Sequence, residues 1–334
     1  MEKVEQGILK NVDKFNDIKL AKGIDMTLYA TKERKVNLST FGISTETYGD
    51  KWIITPKGRG IFKSYDNFFS EKTKNIRVCN ELLCQELCKQ VGIRCATYEP
   101  AEIDGMQGLI TYDFVGKNKL VTLKDFVGIS KKLDCNLFDC VVAVDKYIQK
   151  GYFVEIKQLV IDLYKIIVFD TLTLQTDRHV NNINFLFQKD KKIKVADLID
   201  NEFAFCGERI FKWLDDEEIE KFTMDDIISE HVAESKIFTF DGSYVADLKR
   251  FKSNLENIAF YAKKHPALKT ALNNIIKNIN PTKAFMELKK QGVEVNPYYQ
   301  NYVTQIVDNT KNMIKNHMHM RVYRQELDDV ENIY

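Results

Sequence analysis

A polar run near the middle of the chain carries the side chains best suited to chemistry. Asp177, Arg178 and His179 are consecutive, Asn182 follows them, and a second acid, Asp200, stands after the next apolar segment. Phosphoryl transfer requires an acid facing the attacking hydroxyl, and it requires an Asn and a second Asp that hold magnesium against nucleotide phosphates. The order of these residues therefore predicts a kinase. In this interpretation Asp177, Arg178 and His179 form the catalytic loop, and Asn182 and Asp200 bind the metal.

The same run also has a simpler structural interpretation. Asn and Asp side chains compete with regular backbone hydrogen bonds, and they therefore favour turns. Asp177 could cap such a turn while Arg178 and His179 pair with neighbouring side chains. A turn alone leaves the second acid, Asp200, without a role. The two acids together therefore favour the kinase interpretation.

Composition places the chain among ordered globular proteins and removes several classes of function. The 334 residues contain 49 Lys and Arg against 48 Asp and Glu, so the net charge of +1 predicts neither nucleic-acid binding nor membrane binding. The apolar runs fall short of the roughly 18 residues that cross a bilayer. Seven cysteines, in a chain whose charged N-terminus lacks a signal-peptide core, predict reduced thiols and a cytoplasmic protein.

The elements around the polar run predict an α+β fold with two lobes. Short strands and one helix fill the first third of the chain, at 51–56, 60–65, 75–91 and 108–115. The pattern then becomes mostly helical, with a strand pair beside the polar run, at 137–149, 153–172, 182–187 and 192–195. We expect an N-terminal lobe over residues 1–116, a C-terminal lobe over 117–334, and a ligand site in the cleft between them.

The N-terminal lobe supplies the residues expected to contact phosphates. Lys63 ends a predicted strand, and a strand lysine in a cleft needs a carboxylate to keep it oriented. The next helix offers two such acids, Glu81 and Glu86. The loop before the first strand could cover the phosphates or could form an ordinary turn. Its candidate donors are the hydroxyl groups of Ser44, Thr45 and Thr47.

Together these segments resemble the HipA-like serine/threonine kinases, in the compact, CtkA-like form that lacks an extra N-terminal subdomain. The family's catalytic Asp-Arg-His-x-x-Asn is unbroken at 177–182, and its Asp-Asn pair after an apolar strand matches 198–201. The family's Asn-Glu helix and closing glycine are similar to 80–81 and Gly92, with Lys63 in the strand before. More distantly, the chain resembles the phosphatidylinositol 3/4-kinase-like branch of the protein-kinase fold.

The resemblance implies a two-lobed protein-kinase-like fold and an ATP- and magnesium-dependent transfer of the γ-phosphate to a protein Ser or Thr hydroxyl. ATP would lie between the lobes, and its adenine would bond to the backbone near Asp113, Phe114 and Val115. Lys63 would hold the nucleotide phosphates, with Glu81 as its partner. Periodicity favours the other acid of that helix, Glu86, because the apolar stripe runs beside it and nearly opposite the expected partner.

The resemblance also implies partners and regulation. The substrate would be a protein of unknown identity, and an antitoxin-like protein would be a second partner. HipA-like kinases silence themselves by phosphorylating the phosphate loop, which in this chain carries the hydroxyl groups of residues 44–47. A phosphate there would repel the phosphates of ATP.

Two other functions stay open from the sequence. A lipid or small-molecule kinase would use the same residues, although the near-zero net charge argues mildly against a membrane substrate. A nucleotide-binding partner module without catalysis is the second alternative. The intact set of Asp177, Asn182 and Asp200 argues against that module, because binding alone does not need all three.

Overall fold

The structure is a computed structural model, and it describes the residues at 18–19, 24–25, 51–55, 57–64, 71–103, 106–128, 137–175, 177–178, 180–205 and 254–319. Four residues of the predicted site lie outside these ranges, namely Ser44, Thr45, Thr47 and His179. Within the part of the chain that the structure describes, no helix combines the length and the apolar character needed to cross a membrane.

The first part of the chain forms a five-stranded sheet. The strands described before residue 113 are β1 (Ile18–Lys19), β2 (Ile24–Asp25), β3 (Lys51–Thr55), β4 (Gly58–Ser64), β5 (Tyr98–Ile103) and β6 (Met106–Tyr112). All of them except β1 join this sheet, in the order β2-β5-β6-β4-β3. Strands β3 and β4 are antiparallel neighbours and form the predicted hairpin, and β4 carries Lys63 near its end.

A glycine lets strand β4 approach β6 closely where Lys63 is presented. Gly108 of β6 is paired with Ser64 of β4. A Cβ atom added to Gly108 would lie 2.3 Å from the backbone carbonyl oxygen of Lys63. A larger residue would therefore push the two strands apart and move the lysine, which explains a glycine in the interior of a strand.

Helix α1 (Glu71–Val91) lies at the centre of the fold. Its interior apolar positions have no exposed surface, including Ile76, Cys79, Leu82, Leu83, Cys84, Leu87 and Cys88. A helix that is apolar around most of its circumference must be covered on most sides. Burial also raises the pKa of the Cys79 thiol to about 12. Gly92, in the left-handed region with φ of 66°, ends the helix at the predicted position.

A second sheet follows, with helices on its flanks. Its strands are β7 (Lys119–Thr122), β8 (Phe153–Val154), β9 (Asn184–Phe187) and β10 (Lys192–Val195), in the order β7-β9-β10-β8. The helices between them are α2 (Leu123–Val127), α3 (Leu137–Gln149) and α4 (Ile156–Leu172). Helix α4 begins three residues later than predicted, because Phe153 and Val154 pair in parallel with β10 as strand β8 instead of joining the helix.

The described C-terminal residues are helical apart from strand β11 (Glu294–Val295). The helices are α5 (Asn254–Lys264), α6 (Pro266–Asn278), α7 (Pro281–Lys290) and α8 (Pro297–His319). Helices α6 and α7 pack against α1, and β11 pairs with β1. The N-terminal and C-terminal parts therefore share extensive contacts. The boundary expected between residues 116 and 117 stays a prediction.

Candidate active site

Lys63 lies among three carboxylates that come from distant parts of the chain. Its Nζ atom is 3.0 Å from Glu202 Oε2, 3.3 Å from Asp200 Oδ1 and 3.8 Å from Glu81 Oε1. Glu81 belongs to α1, whereas Asp200 and Glu202 follow strand β10. The lysine side chain is 15% exposed. The strand lysine and the predicted metal ligand Asp200 are therefore in direct contact, although 137 residues separate them in the chain.

The charges in this cluster depend on one another. Glu81, Asp200 and Glu202 each place one carboxylate oxygen within 4.8 Å of a carboxylate oxygen of the other two. Like charges at such distances repel strongly in a buried site. Burial, together with the nearby Asp200 and Glu202 carboxylates, outweighs the attraction of Lys63 and raises the pKa of Glu81 to about 7. The cluster is therefore suited to hold a cation in addition to the lysine.

The backbone at Asp200 adopts an uncommon conformation that its surroundings hold in place. Its φ angle is 62°, in the left-handed region, where Asp is better tolerated than most residues. The Asp200 amide donates a hydrogen bond to the Tyr98 hydroxyl, at 3.3 Å. The Asp200 carbonyl accepts one from Gln175 Nε2, at 3.2 Å. The carboxylate itself is 30% exposed and faces Lys63. Backbone strain of this kind is concentrated at functional sites.

One side chain links the predicted catalytic loop to the predicted metal ligand. Asn182 Nδ2 donates to the Asp177 carbonyl at 3.1 Å and to Asp200 Oδ2 at 2.9 Å. Asn182 is buried, and the Asp177 amide donates to Gln175 Oε1 at 3.0 Å. The structure therefore brings the backbone of Asp177 together with the side chains of Asn182 and Asp200.

Arg178 is buried between the segment that contains Asp177 and the segment that contains Asp200, and all of its side-chain nitrogens donate hydrogen bonds within the protein. Nε and Nη2 form a bidentate pair with Asp170 of α4, at 2.9 and 3.1 Å. Nη1 donates to the Ile199 carbonyl at 2.6 Å, and Nη2 also donates to Asn201 Oδ1 at 2.7 Å. Burial opposes the charge, but the paired Asp170 carboxylate outweighs it and raises the pKa of the guanidinium. This residue, which the sequence places in the catalytic loop, thus supports the segment that leads to Asp200.

The two acids considered as partners of Lys63 point in different directions. Glu81 Oε2 accepts a hydrogen bond from the Asn201 amide at 2.9 Å, beside the lysine. Glu86 instead pairs with Lys89 at 2.6 Å and accepts from Gln291 at 3.0 Å. The structure therefore differs from the periodicity argument. Helix α1 is covered on nearly all sides, so the face opposite its apolar stripe is also an interior face.

The predicted adenine-binding segment forms a tight turn after β6. Asp113 Oδ1 accepts from the Val115 and Gly116 amides, both at 3.0 Å, and the other carboxylate oxygen pairs with Arg59. The Val115 carbonyl accepts from Asn118. Val115 therefore uses both of its backbone groups inside the turn, and adenine binding by residues 113–115 stays a prediction.

Sequence reasoning gave no role to Glu202 and Arg77, which organise the site, and it named Asn80 only as part of a family motif. Arg77 Nη1 donates to Glu202 Oε1 at 3.2 Å, and Asn80 Nδ2 donates to the Glu202 carbonyl at 2.9 Å. A signal was present in α1, where Arg77, Asn80 and Glu81 recur at helical spacing inside an apolar segment. Polar residues on one face of a buried helix need partners, and their presence predicts an interior polar contact.

The chain has a mixed α+β fold with a β-rich N-terminal part and a largely helical C-terminal part. No protein-family model matches the chain. No curated protein matches it. Several solved structures match the chain.

The chain is similar to the crystal structure of CtkA, a proinflammatory kinase of Helicobacter pylori, with a TM-score of 0.60 and 16% identity over 89% of this chain and 97% of CtkA. It also matches a chain in the complex of HipA, HipB and operator DNA from Shewanella oneidensis. That TM-score is 0.46, with 13% identity over 79% of this chain and 61% of the other. The likeness to CtkA confirms the predicted fold class and the resemblance to the compact kinases.

Proposed function

We propose that this protein is an ATP- and magnesium-dependent kinase that transfers the γ-phosphate of ATP to a Ser or Thr hydroxyl of a protein. The observation that carries the proposal is the convergence of Lys63 with Asp200, and of Asp200 with Asn182 and the Asp177 backbone. A lysine beside a carboxylate–amide pair is the constellation that phosphoryl transfer requires.

The side chains present fit magnesium bound to a nucleotide. Magnesium prefers carboxylate and amide oxygens together with waters and phosphates. Asp200 offers a partly exposed carboxylate, and Asn182 lies 2.9 Å from it. Asn182 directs its nitrogen at Asp200, so its amide would turn to present oxygen to the metal. Bound there, magnesium would neutralise charge on the phosphates, as such ions do in kinases.

Each residue then has a separate task. Lys63 would contact the nucleotide phosphates, while Asp200 and Asn182 hold the metal. Asp177 would accept the proton of the acceptor hydroxyl as the hydroxyl oxygen bonds to the γ-phosphorus. The bond from that phosphorus to the β–γ bridging oxygen breaks in the same displacement, and ADP carries away the electron pair. Such catalysis rests on positioning and electrostatics.

Arg178 would act by positioning these groups. Its nitrogens tie Asp170 of α4 to the Ile199 carbonyl and to Asn201, on both sides of Asp200 in the sequence. Gln175 connects the same two loops through the Asp177 amide and the Asp200 carbonyl. We therefore assign Arg178 to the support of the metal loop. The role expected for His179 stays a prediction.

The acceptor is the least constrained part of the proposal. The likeness to CtkA supports the kinase fold, and the protein hydroxyl rests on the resemblance found in the sequence. A lipid or small-molecule acceptor would need the same Lys63, Asp177 and Asp200. The antitoxin-like partner and the cytoplasmic location also stay predictions.

A labelling experiment with cell lysate tests the proposed function. The purified protein is incubated with γ-labelled ATP, magnesium and a lysate, and the Asp177→Asn variant serves as control. We expect label on Ser or Thr of a lysate protein, absent with the variant. Label in the lipid fraction or on a small metabolite would show that the protein is a lipid or small-molecule kinase and not a protein kinase. ATP binding without any labelled product would favour the non-catalytic module.

A further inference from the structure

Glu202, two residues after Asp200, is a buried carboxylate that lies between two cations. The residue is 1% exposed. Its Oε2 lies 3.0 Å from Lys63 Nζ, and its Oε1 lies 3.2 Å from Arg77 Nη1. The Arg77 guanidinium also stacks over the Phe203 ring, at 4.6 Å from its centroid. One buried carboxylate is therefore shared between two cations, one of which is anchored on α1.

The backbone of Glu202 is fixed as well. Asn80 Nδ2 donates to the Glu202 carbonyl at 2.9 Å and to the Ala204 carbonyl at 3.0 Å. The Asn80 side-chain oxygen accepts a hydrogen bond from the Tyr299 hydroxyl of α8. Helices α1 and α8 thus both hold the segment that carries Glu202, and its carboxylate has little freedom to leave Lys63.

Glu81 makes its closest contacts elsewhere. Its Oε2 accepts from the Asn201 amide at 2.9 Å and lies 3.4 Å from Asn201 Nδ2. Its Oε1, like Glu202 Oε2, is buried without a hydrogen bond, but it lies 3.8 Å from Lys63 Nζ, whereas Glu202 Oε2 lies 3.0 Å from that atom. Charge-assisted contacts in proteins have donor–acceptor distances near 2.7–2.9 Å, and they weaken beyond that range. The hydrogen bonds of Glu81 therefore serve the metal loop more than they serve the lysine.

We infer that Glu202 is the principal anchor of Lys63, and that Glu81 is a positioning residue for the backbone that carries Asp200. This inference rests on the proposed function, because it assigns roles within the same site. When Asp200 turns to a metal ion, Lys63 gives up its contact at 3.3 Å. Glu202 keeps the ammonium group beside the nucleotide phosphates through a contact that does not involve the metal ligand.

Three isosteric variants separate the two roles. Glu202→Gln and Glu81→Gln each remove one carboxylate charge while they keep the side-chain shape. Glu86→Gln is a matched control, because Glu86 is also a buried glutamate of α1 but pairs with Lys89 and Gln291. Thermal unfolding of each variant establishes that it folds. If Glu202→Gln does not fold, Glu202→Asp replaces it, since the shorter side chain keeps the charge and loses the reach.

The first measurement needs no enzymatic activity. The intact protein is treated with limiting acetic anhydride, and mass spectrometry gives the labelling rate of Lys63. We expect Glu202→Gln, or Glu202→Asp in its place, to raise this rate several-fold, Glu81→Gln to raise it less, and Glu86→Gln to leave it unchanged. A larger increase with Glu81→Gln than with the Glu202 variant, or no change in the Glu202 variant, would overturn the assignment.

The second measurement uses the kinase reaction. We expect Glu202→Gln to raise the KM for ATP about tenfold, which corresponds to roughly 1.4 kcal/mol. Glu81→Gln should act mainly on kcat, because it disturbs the loop that carries Asp200. The reverse division between KM and kcat would contradict the inference. A wild-type protein without phosphoryl transfer would instead contradict the proposed function, and the labelling rates would still decide which acid anchors Lys63.

Discussion

The two sides of the site are built in different ways. Lys63 and Glu81 stand on a strand and on a helix, whose positions are fixed by sheet pairing and by core packing. Asp177 and Asp200 stand on loops, which are held by buried side chains that donate to loop carbonyls. The first side therefore depends on the fold as a whole. The second depends on a few hydrogen bonds, and single substitutions should affect it more sharply.

The largest effect is expected at Asp200, where the two sides meet. Asp200→Asn removes the charge that faces Lys63 and would bind magnesium, but Asn tolerates the left-handed φ at least as well. We expect magnesium-dependent ATP affinity to fall at least tenfold, and turnover to fall on the order of a thousandfold. Nucleotide titration and steady-state kinetics measure the two effects.

Asp197→Asn is the matched control for that prediction. Asp197 lies three residues earlier and is 29% exposed, and its nearest cation is Arg94, at 3.9 Å. Both ATP affinity and turnover should stay within about twofold of the wild type, as is usual for exposed ion pairs. An equal loss in the two variants would show that the effect does not come from the site.

The next largest effect is a loss of stability, expected when Arg178, which supports both loops, is replaced. Arg178→Lys keeps a positive charge but cannot reproduce the bidentate pair with Asp170 together with the carbonyl contacts. Removing one partner of a buried pair costs about 3–5 kcal/mol of unfolding free energy, and because lysine keeps the charge we expect a loss at the lower end of that range. Chemical denaturation gives the difference, and Lys290→Ala, which removes an exposed pair with Glu287, should change little. A stable Arg178→Lys variant would contradict the role given to the guanidinium.

On the strand side, any side chain at Gly108 should displace strand β4 and, with it, Lys63. Gly108→Ala places a Cβ against the Lys63 carbonyl at 2.3 Å, so β4 must shift. Overpacking of this kind costs about 1–3 kcal/mol, and the displaced lysine should also raise the KM for ATP. Gly60→Ala in β4 meets the Thr111 carbonyl at 2.9 Å and should cost less. If Gly60→Ala were the more damaging of the two, the close approach at Gly108 would not be what positions Lys63.

The smallest effects on stability and turnover are expected at two buried tyrosines, Tyr302 and Tyr164. The Tyr302 hydroxyl donates to the Phe205 carbonyl at 2.9 Å, next to the site, and the Tyr164 hydroxyl donates to the Ile258 carbonyl at 2.8 Å, away from it. Each change to Phe should cost about 1 kcal/mol of stability. Only Tyr302→Phe should also reduce turnover, because α8 then holds the segment after Glu202 less firmly. Equal activities would limit α8 to a structural role.

The sequence marks the residues on the loop side of the site more clearly than those on the strand side. Asp177 and Asn182 lie in a polar run that a strand or helix would not favour, and Asp200 follows the next apolar segment, so the local sequence marks all three. Glu202 carries no such mark, because it stands outside the polar run and its partners, Lys63 and Arg77, are distant in the chain. Their meeting depends on tertiary packing, which local patterns do not encode.

The limits of element prediction have the same origin. The range of α3, 137–149, was predicted fully, because its apolar periodicity is local. Strand β8 was assigned to a helix, since its pairing with β10 depends on residues nearly forty positions further along the chain. Glu86 was favoured over Glu81 by periodicity, because a helix covered on nearly all sides has no single inward face.

Transfer of labelled phosphate by the Asp177→Asn variant tests the central claim most directly. The variant and the wild type are compared at equal ATP saturation, established for each by nucleotide titration. The account predicts that Asp177→Asn binds ATP with magnesium within about twofold of the wild type, and that its transfer of γ-labelled phosphate falls by at least a hundredfold. Transfer at the wild-type rate by a variant that still binds ATP would contradict the assignment of Asp177 and, with it, the proposed reaction.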